Sequence, residues 1–245
     1  MKKDEFNILN SFYNGNVGRI NCSSDLDVKK SLQKQEVFNY LIQAGLIAKN
    51  GSKITDTGLE ALEPYRVNNA VILAAGASTR FIPLSLEQPK GLLKGEKLIE
   101  RQIQQLQDAG IKNITIVLGY KKEMFYYLED KYGVNFIINE SFNIKNNIES
   151  LYLAKEKLRN TYICVSDSYF VENPFNQYEY QTFNAGISIK KKTNEMYVDT
   201  DENGKIIMME KYRDSGKVLF GHSFWNEDFS NAFIKLMEAD RTVGK

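Results

Sequence analysis

Val71 to Lys90 reads VILAAGASTRFIPLSLEQPK. An apolar run, Val71 to Leu73, breaks into Ala74, Ala75 and Gly76, and a short polar loop follows, Ala77-Ser78-Thr79-Arg80. The small side chains at Ala74, Ala75 and Gly76 let a ligand lie against bare backbone, whose N–H groups can point at phosphate oxygens. Ser78 and Thr79 add hydroxyl donors. Arg80 can fork onto a phosphate, and Lys90, following Pro89, supplies a point charge. Chemically this is a triphosphate cradle. It is not a Walker loop, because no Gly-Lys-Ser/Thr follows the glycine. Nor is it the dinucleotide fingerprint, because Gly76 has no glycine partner two or five residues on.

From Ala70 onward the pattern is strand, helix, strand, helix. Leu98, Ile99, Gln102, Ile103 and Leu106 mark one face of an amphipathic helix that Gly110 closes. Ile114 to Leu118 reads as a buried strand with Gly119-Tyr120 at its carboxyl end. Met124 to Tyr132 is a helix stopped by Gly133, Val134 to Ile138 a strand, Asn146 to Leu158 a helix and Thr161 to Val165 a strand. Such alternation predicts an α/β fold, a mostly parallel Rossmann-like sheet with helices on both faces. Ligands of such sheets sit outside the carboxyl ends of the strands. Gly76, Gly119-Tyr120 and Asp167 all follow strands and therefore converge on one edge. Further strands are expected at Phe183–Lys190, Met196–Val198, Lys205–Glu210 and Val218–Trp225, and a helix at Phe229–Met237.

Asp167 is the candidate ligand for Mg²⁺: a carboxylate at the end of a buried strand, facing the cradle. Asp199, Asp201 and Asp214 read as solvated turn residues. Gly119, Tyr120, Asn139, Asn146, Asn147 and Ser150 offer backbone, amide and hydroxyl groups to a nucleobase, with turn formation and capping, by Asn146 at a helix start, as their plainer roles. Tyr197 and Trp225, with Phe224 and Tyr212, could wall a cation pocket, or simply pack a sheet. His222 is the sole histidine, which argues against a histidine zinc cluster and against any Ser-His or Cys-His nucleophile not built on it.

Residues 1–67 read as a separate small domain and 68–245 as the transferase-like one. Phe6, Ile8, Leu9 and Phe12 suit one helix face; Val37, Phe38, Leu41 and Ile42 suit another, stopped by Gly45. Leu46-Ile47 and Lys53-Ile54-Thr55 flank the hairpin signal Asn50-Gly51, and Asp56 or Thr57 can cap a last helix that Pro64 ends. Helices, a two-stranded wing and a helix resemble a winged helix-turn-helix. The charges resist a DNA reader, since Lys and Arg nearly balance Asp and Glu across 1–67. A net charge of +1 for the 245 residues gives no pull toward nucleic acid or membrane. Two cysteines far apart, Cys22 and Cys164, fit a reducing cytoplasm rather than a disulfide framework. No signal peptide or membrane-spanning run is present.

Leu73-Ala74-Ala75-Gly76-Ala77-Ser78-Thr79-Arg80, Pro83 and Pro89-Lys90 resemble the signature of nucleotidyltransferases, L-A-A-G-x-G/S-x-R, then P, then P-K. Beyond it, "KGLL", "LIERQIQQLQDAGI", "VLGYKKEMFYYLEDKYGV", "NNIESLYLAKEKL", "NTYICVSDSYF" and "GHSFW" are similar, in order, to the bacterial CTP:phosphocholine cytidylyltransferases. That resemblance implies Mg²⁺-dependent transfer of CMP from CTP to phosphocholine, with Arg80, Lys90 and Asp167 as catalytic residues and Asp167 as the first metal ligand. It implies nucleotide contacts from Leu73, Ala74, Ala75, Gly76, Ser78, Thr79, Gly119, Tyr120, Asn147 and Ser150. The N-terminal unit ending in "ALEPYRV" resembles members that carry a following choline-kinase-like domain, and a homodimer is a further expectation. Two departures stand out. Met196 replaces an aromatic of the family's choline cage, though Tyr197 is adjacent, and the family's second metal-binding acid is expected beyond Lys245. The rival readings are a sugar-1-phosphate nucleotidyltransferase and a nucleotide-sensing regulator that binds DNA through residues 1–67.

Overall fold

The computed structural model describes residues 1–15, 25–77, 89–92, 97–143 and 147–243. Ser78, Thr79, Arg80, Pro83 and Asn146 lie outside the described residues, and Lys90 is described by its backbone only. The chain forms two compact units: Met1–Arg66 with Tyr178–Tyr180, and Val67–Gln177 with Gln181–Lys245.

In the first unit α1 (Lys3–Tyr13) and α2 (Asp25–Gln43) precede a tight hairpin, marked by the bridge Ile47↔Ile54, and α3 (Asp56–Leu62). Phe6 and Leu9, one helical turn apart, bury against Leu41, Ile47 and Leu62. Thr55, rather than Asp56 or Thr57, caps α3: its hydroxyl accepts the Gly58 N–H at 3.0 Å. Tyr178 completes this core. Its ring is 1% exposed and meets Tyr13 edge-on, and its hydroxyl receives Arg66 at 2.8 Å and donates to Glu63 at 3.1 Å.

The second unit is built on one sheet. Its strands are β1 (Asn69–Ala74), β2 (Ile114–Leu118), β3 (Asn135–Ile138), β4 (Thr161–Val165), β5 (Phe183–Ile189), β6 (Tyr197–Thr200), β7 (Ile206–Glu210) and β8 (Gly216–Trp225). The order is β3-β2-β1-β4-β8-β6-β7, with β5 also on β8. β3, β2, β1 and β4 are parallel; β8 joins β4 antiparallel, and every later pairing is antiparallel. Alternation along β1 assigns the two faces. Ala70, Ile72 and Ala74 pack with Ile99, Ile103 and Leu106 of α4 (Leu98–Asp108) and with Leu128 of α5 (Tyr127–Tyr132). Val71 and Leu73 pack with Leu151 of α6 (Asn147–Leu153) and with Phe233 and Met237 of α7 (Glu227–Val243). Burial on both faces is why these strands read as continuous apolar runs.

Glu100 pins α4 to α5. Its carboxylate accepts the hydroxyls of Tyr127 at 2.7 Å and Tyr132 at 2.9 Å and the Lys131 ammonium at 2.6 Å. Burial alone would raise this carboxyl; hydrogen bonds from Lys131, Tyr127, Tyr132 and Lys97 outweigh it and bring the pKa down to about 2. Asp199 lies in β6, not in a turn, and pairs in two-pronged fashion with Arg213 at 2.7 and 2.6 Å. Asp201 is a turn residue, accepting the N–H groups of Asn203 and Lys205. Among the described residues no helix is long and apolar enough to cross a membrane.

Candidate active site

The carboxyl ends of β1, β2 and β4 meet through backbone. The Ser166 N–H donates to Leu73 O at 3.1 Å, and the Tyr120 N–H donates to Ala75 O at 3.0 Å. Two glycines make this convergence possible. A Cβ at Gly119 would come 2.6 Å from the Phe142 Cβ and 2.8 Å from Ala75 O. A Cβ at Gly91 would stand 3.0 Å from Ser166 O, so the Pro89–Leu92 segment approaches the end of β4 closely, and the lack of a side chain at residue 91 eases that approach. The Pro-Lys-Gly segment and the strand end that precedes Asp167 are therefore neighbours.

A cavity of about 710 Å³ opens at this edge. Leu73, Ala74 and Gly76 line one side, and Asn147, Asp167 and Glu195 bring polar groups to it. Val218, Leu219 and Phe220 of β8, with Ile187 of β5, form an apolar flank. A volume of this order suits a small-molecule ligand, and the lining is a near-even mixture of polar and apolar surface.

The structure thus brings together Leu73, Ala74, Gly76, Asn147 and Asp167. Ala75 contributes through its carbonyl to the Tyr120 N–H. Tyr120 lies with its ring 6.3 Å from Phe142, and the Lys121 ammonium lies 5.6 Å from that ring. Ser150 is 2% exposed and accepts Asn139 Nδ2 at 3.0 Å, so it fastens α6 to the end of β3. Tyr197 and Trp225 are not brought to the cavity. Tyr197 is fully buried, donating its hydroxyl to Lys191 O at 3.0 Å, and Trp225 is 6% exposed against Phe229 and Phe233. Glu195 was not legible beforehand: it sits in the polar stretch Lys190–Asn194 plus one, where no periodicity or motif marks it.

His222 lies beneath the site, opposite Cys164 across β4 and β8. It is 5% exposed, stacked on Tyr162 at 5.5 Å and ringed by Phe170, Phe175 and Phe183. Burial pushes its pKa down to about 4, and Nδ1 finds no hydrogen-bond partner among the described residues. It is a core histidine, and the one thiol opposite it, Cys164, is buried too. Burial likewise pushes the Cys164 thiol up, so it is a packed apolar group.

Residues 70–190 match the MobA-like NTP transferase domain. The chain is 34% identical over 178 residues to the choline-phosphate cytidylyltransferase of Streptococcus pneumoniae, spanning 72% of this chain and 78% of that one. The chain belongs to the family of these bacterial cytidylyltransferases. A solved structure of the CTP:phosphocholine cytidylyltransferase of Streptococcus pneumoniae superposes with a TM-score of 0.69 at 34% identity, covering 74% of this chain and 79% of that one. The 2-aminoethylphosphonate cytidylyltransferase of Lancefieldella rimae is 33% identical over 175 residues, 69% of this chain and 71% of its own. Membership gives a nucleotidyltransferase fold and activity class.

No cluster of three or more His, Cys, Asp or Glu suited to a metal gathers among the described residues. Mg²⁺ is commonly held by one or two carboxylates, with water and substrate phosphates completing its octahedron. The exposed Asp167 carboxylate at the cavity wall meets this requirement.

Proposed function

We propose that the protein transfers CMP from CTP to phosphocholine, giving CDP-choline and pyrophosphate. The observation that carries this is the joining, in one cavity, of the Leu73–Gly76 strand end with Asp167, in a chain of the cytidylyltransferase family. The triphosphate lies along the backbone at Ala74–Gly76. Arg80 and Lys90 offset charge as pyrophosphate leaves. A phosphomonoester oxygen attacks the α-phosphorus in line, with no covalent intermediate on the protein, so catalysis is positioning and electrostatic stabilisation. Asp167 would hold Mg²⁺, which when bound supplies charge neutralisation to the phosphates. Asn147 at the cavity wall serves the base side. The acidic Glu195, facing a cavity otherwise flanked by β8, suits an acceptor that carries a cation. Residues 1–67 are read as a winged-helix-like module with a structural, dimerising or regulatory role rather than as a DNA reader, since their charges nearly balance.

The test is pyrophosphate release with each of the four triphosphates against phosphocholine, 2-aminoethylphosphonate and a sugar 1-phosphate. The reading expects turnover with CTP and phosphocholine. A preference for 2-aminoethylphosphonate would reassign the acceptor, and turnover only with a sugar 1-phosphate would sink the phosphocholine reading. A mobility-shift assay at physiological salt checks the N-terminal module: tight, sequence-selective binding would restore the DNA-reader alternative.

A further inference from the structure

Asp167 sits on a turn, Val165 to Ser168, closed by the Ser168 N–H donating to Val165 O at 3.4 Å. Asp167 is exposed at the cavity, while Ser166 and Ser168 on either side are 9% and 6% exposed. The turn therefore carries backbone carbonyls withdrawn from water, Ser168 O in a buried and Val165 O in a part-buried setting, just where the β4 ladder stops. Buried carbonyls need donors. One side chain supplies them. Gln102, 1% exposed, donates Nε2 to Val165 O at 2.9 Å and to Ser168 O at 3.4 Å. These are the two ends of the turn that bears Asp167.

A primary amide has two N–H donors on one nitrogen and can hold two carbonyls at once; Glu has none when ionised, and Met and Leu have none at all. Gln102 occupies the helix face that the apolar residues Ile99, Ile103 and Leu106 bury, where Leu would be the expected residue. Its neighbours continue the same pattern further along the chain. Arg101 donates to Phe170 O and Val171 O, both at 2.8 Å, and Gln105 donates to Phe170 O at 3.2 Å. α4 is itself fixed from its other side by Glu100. Gly91, whose missing side chain admits Ser166 O, also sits against Ile99 of this helix.

We propose that Gln102 is a positioning residue for the reaction: it sets the height and direction of the Asp167 carboxylate by clamping both ends of its turn. This rests on the assignment of Asp167 as the Mg²⁺ ligand. A displacement of about 1 Å at a reacting centre is enough to lower turnover roughly a hundredfold. Removing the amide while keeping the volume should act on the metal-dependent step and spare nucleotide binding.

The experiment compares wild type with Gln102→Met, Gln102→Asn and Arg101→Met. In Gln102→Met, kcat should fall about ten- to hundredfold, the Mg²⁺ concentration for half-maximal rate should rise, and KM for CTP should change little. Arg101→Met should leave the Mg²⁺ dependence as in wild type, because its carbonyls lie beyond the turn. Hydrogen exchange is read in parallel and needs no turnover. The Ser166 and Ser168 amides should exchange at least about tenfold faster in Gln102→Met, with Ile163 and Cys164 unchanged. Where Gln102→Met does not fold, Gln102→Asn, whose shorter amide cannot span both carbonyls, carries the same measurements. Unchanged exchange in the turn overturns the proposal, as does a Mg²⁺ dependence that shifts equally in Arg101→Met. An inactive wild type with faster exchange in the variant would count against CMP transfer but not against the clamp.

Discussion

β1 and β2 are buried along their whole length, whereas β5 and β7 on the other side of the sheet are largely exposed. The first pair belongs to the parallel part, covered by α4 and α5 on one face and α6 and α7 on the other. The second belongs to the antiparallel part, which shows Ile207, Met208 and Met209 to solvent. The cavity lies where the two meet. Its side at β1 and β4 is built on strand ends that cannot shift without disturbing a close-packed interior. Its opposite flank, Ile187, Glu195 and Val218 to Phe220, comes from strands and loops with far less packed against them. The rigid part suits what every nucleotidyltransferase shares, a triphosphate. The open part is where acceptors can differ at small cost to folding.

The sharpest contrast should appear in stability. Ile116→Ala, in the middle of β2 at 0% exposure, should cost about 2–5 kcal/mol in denaturant unfolding. A loss under about 1 kcal/mol would mean the parallel part is looser than its burial indicates. Asp167→Ala should leave the unfolding midpoint nearly unchanged, because the residue is exposed, yet lower pyrophosphate release about a hundredfold or more. Normal turnover would remove Asp167 from the site.

His222 tests the seam itself, since β8 pairs with β4 there. Its folded pKa of about 4 lies below the unfolded value of about 6.5. Between those values the unfolded chain binds the proton and the folded one does not. The stability is complete above about pH 6.5 and is lost as pH falls toward 4, by at most about 3 kcal/mol. His222→Phe should flatten that part of the stability profile; equal acid sensitivity in the variant would place the effect elsewhere. The smallest effect is expected at the open end of the sheet. Met208→Ala in β7 should stay within about 0.5 kcal/mol of wild type, and a larger loss would show that this strand is covered in solution.

Much of this division was legible in the sequence, for physical reasons that differ by region. The parallel part announces itself because two-sided burial writes continuous apolar runs such as Ile114 to Leu118, and its close approach at 119 demands glycine. Asp167 was readable because it follows such a run. The antiparallel part offers no comparable constraint. Its strands were found, but Asp199 read as a turn residue because its partner Arg213 is fourteen positions away and joined only by folding. Tyr197 and Trp225 read equally well as pocket or core, since an aromatic's type does not say which sheet face it takes; the register puts both inside. Glu195 has no signature at all, being one polar residue among many. Gln102 was visible only as a misplaced polar residue on an apolar helix face, and what it clamps is set by tertiary structure.

Tyr178 carries a consequence for how the protein is made. The first unit cannot finish its core with residues 1–66 alone, because Tyr178, one of its best-buried side chains, is encoded after β4. Chains leave the ribosome amino end first, at roughly 5–20 residues per second. For on the order of ten seconds the nascent helices α1 to α3 therefore stand with an open hole where that ring belongs, while β1 to β4 are still being synthesised. The core of the first unit therefore closes only after β1 to β4 have been made, though before β5 to β8.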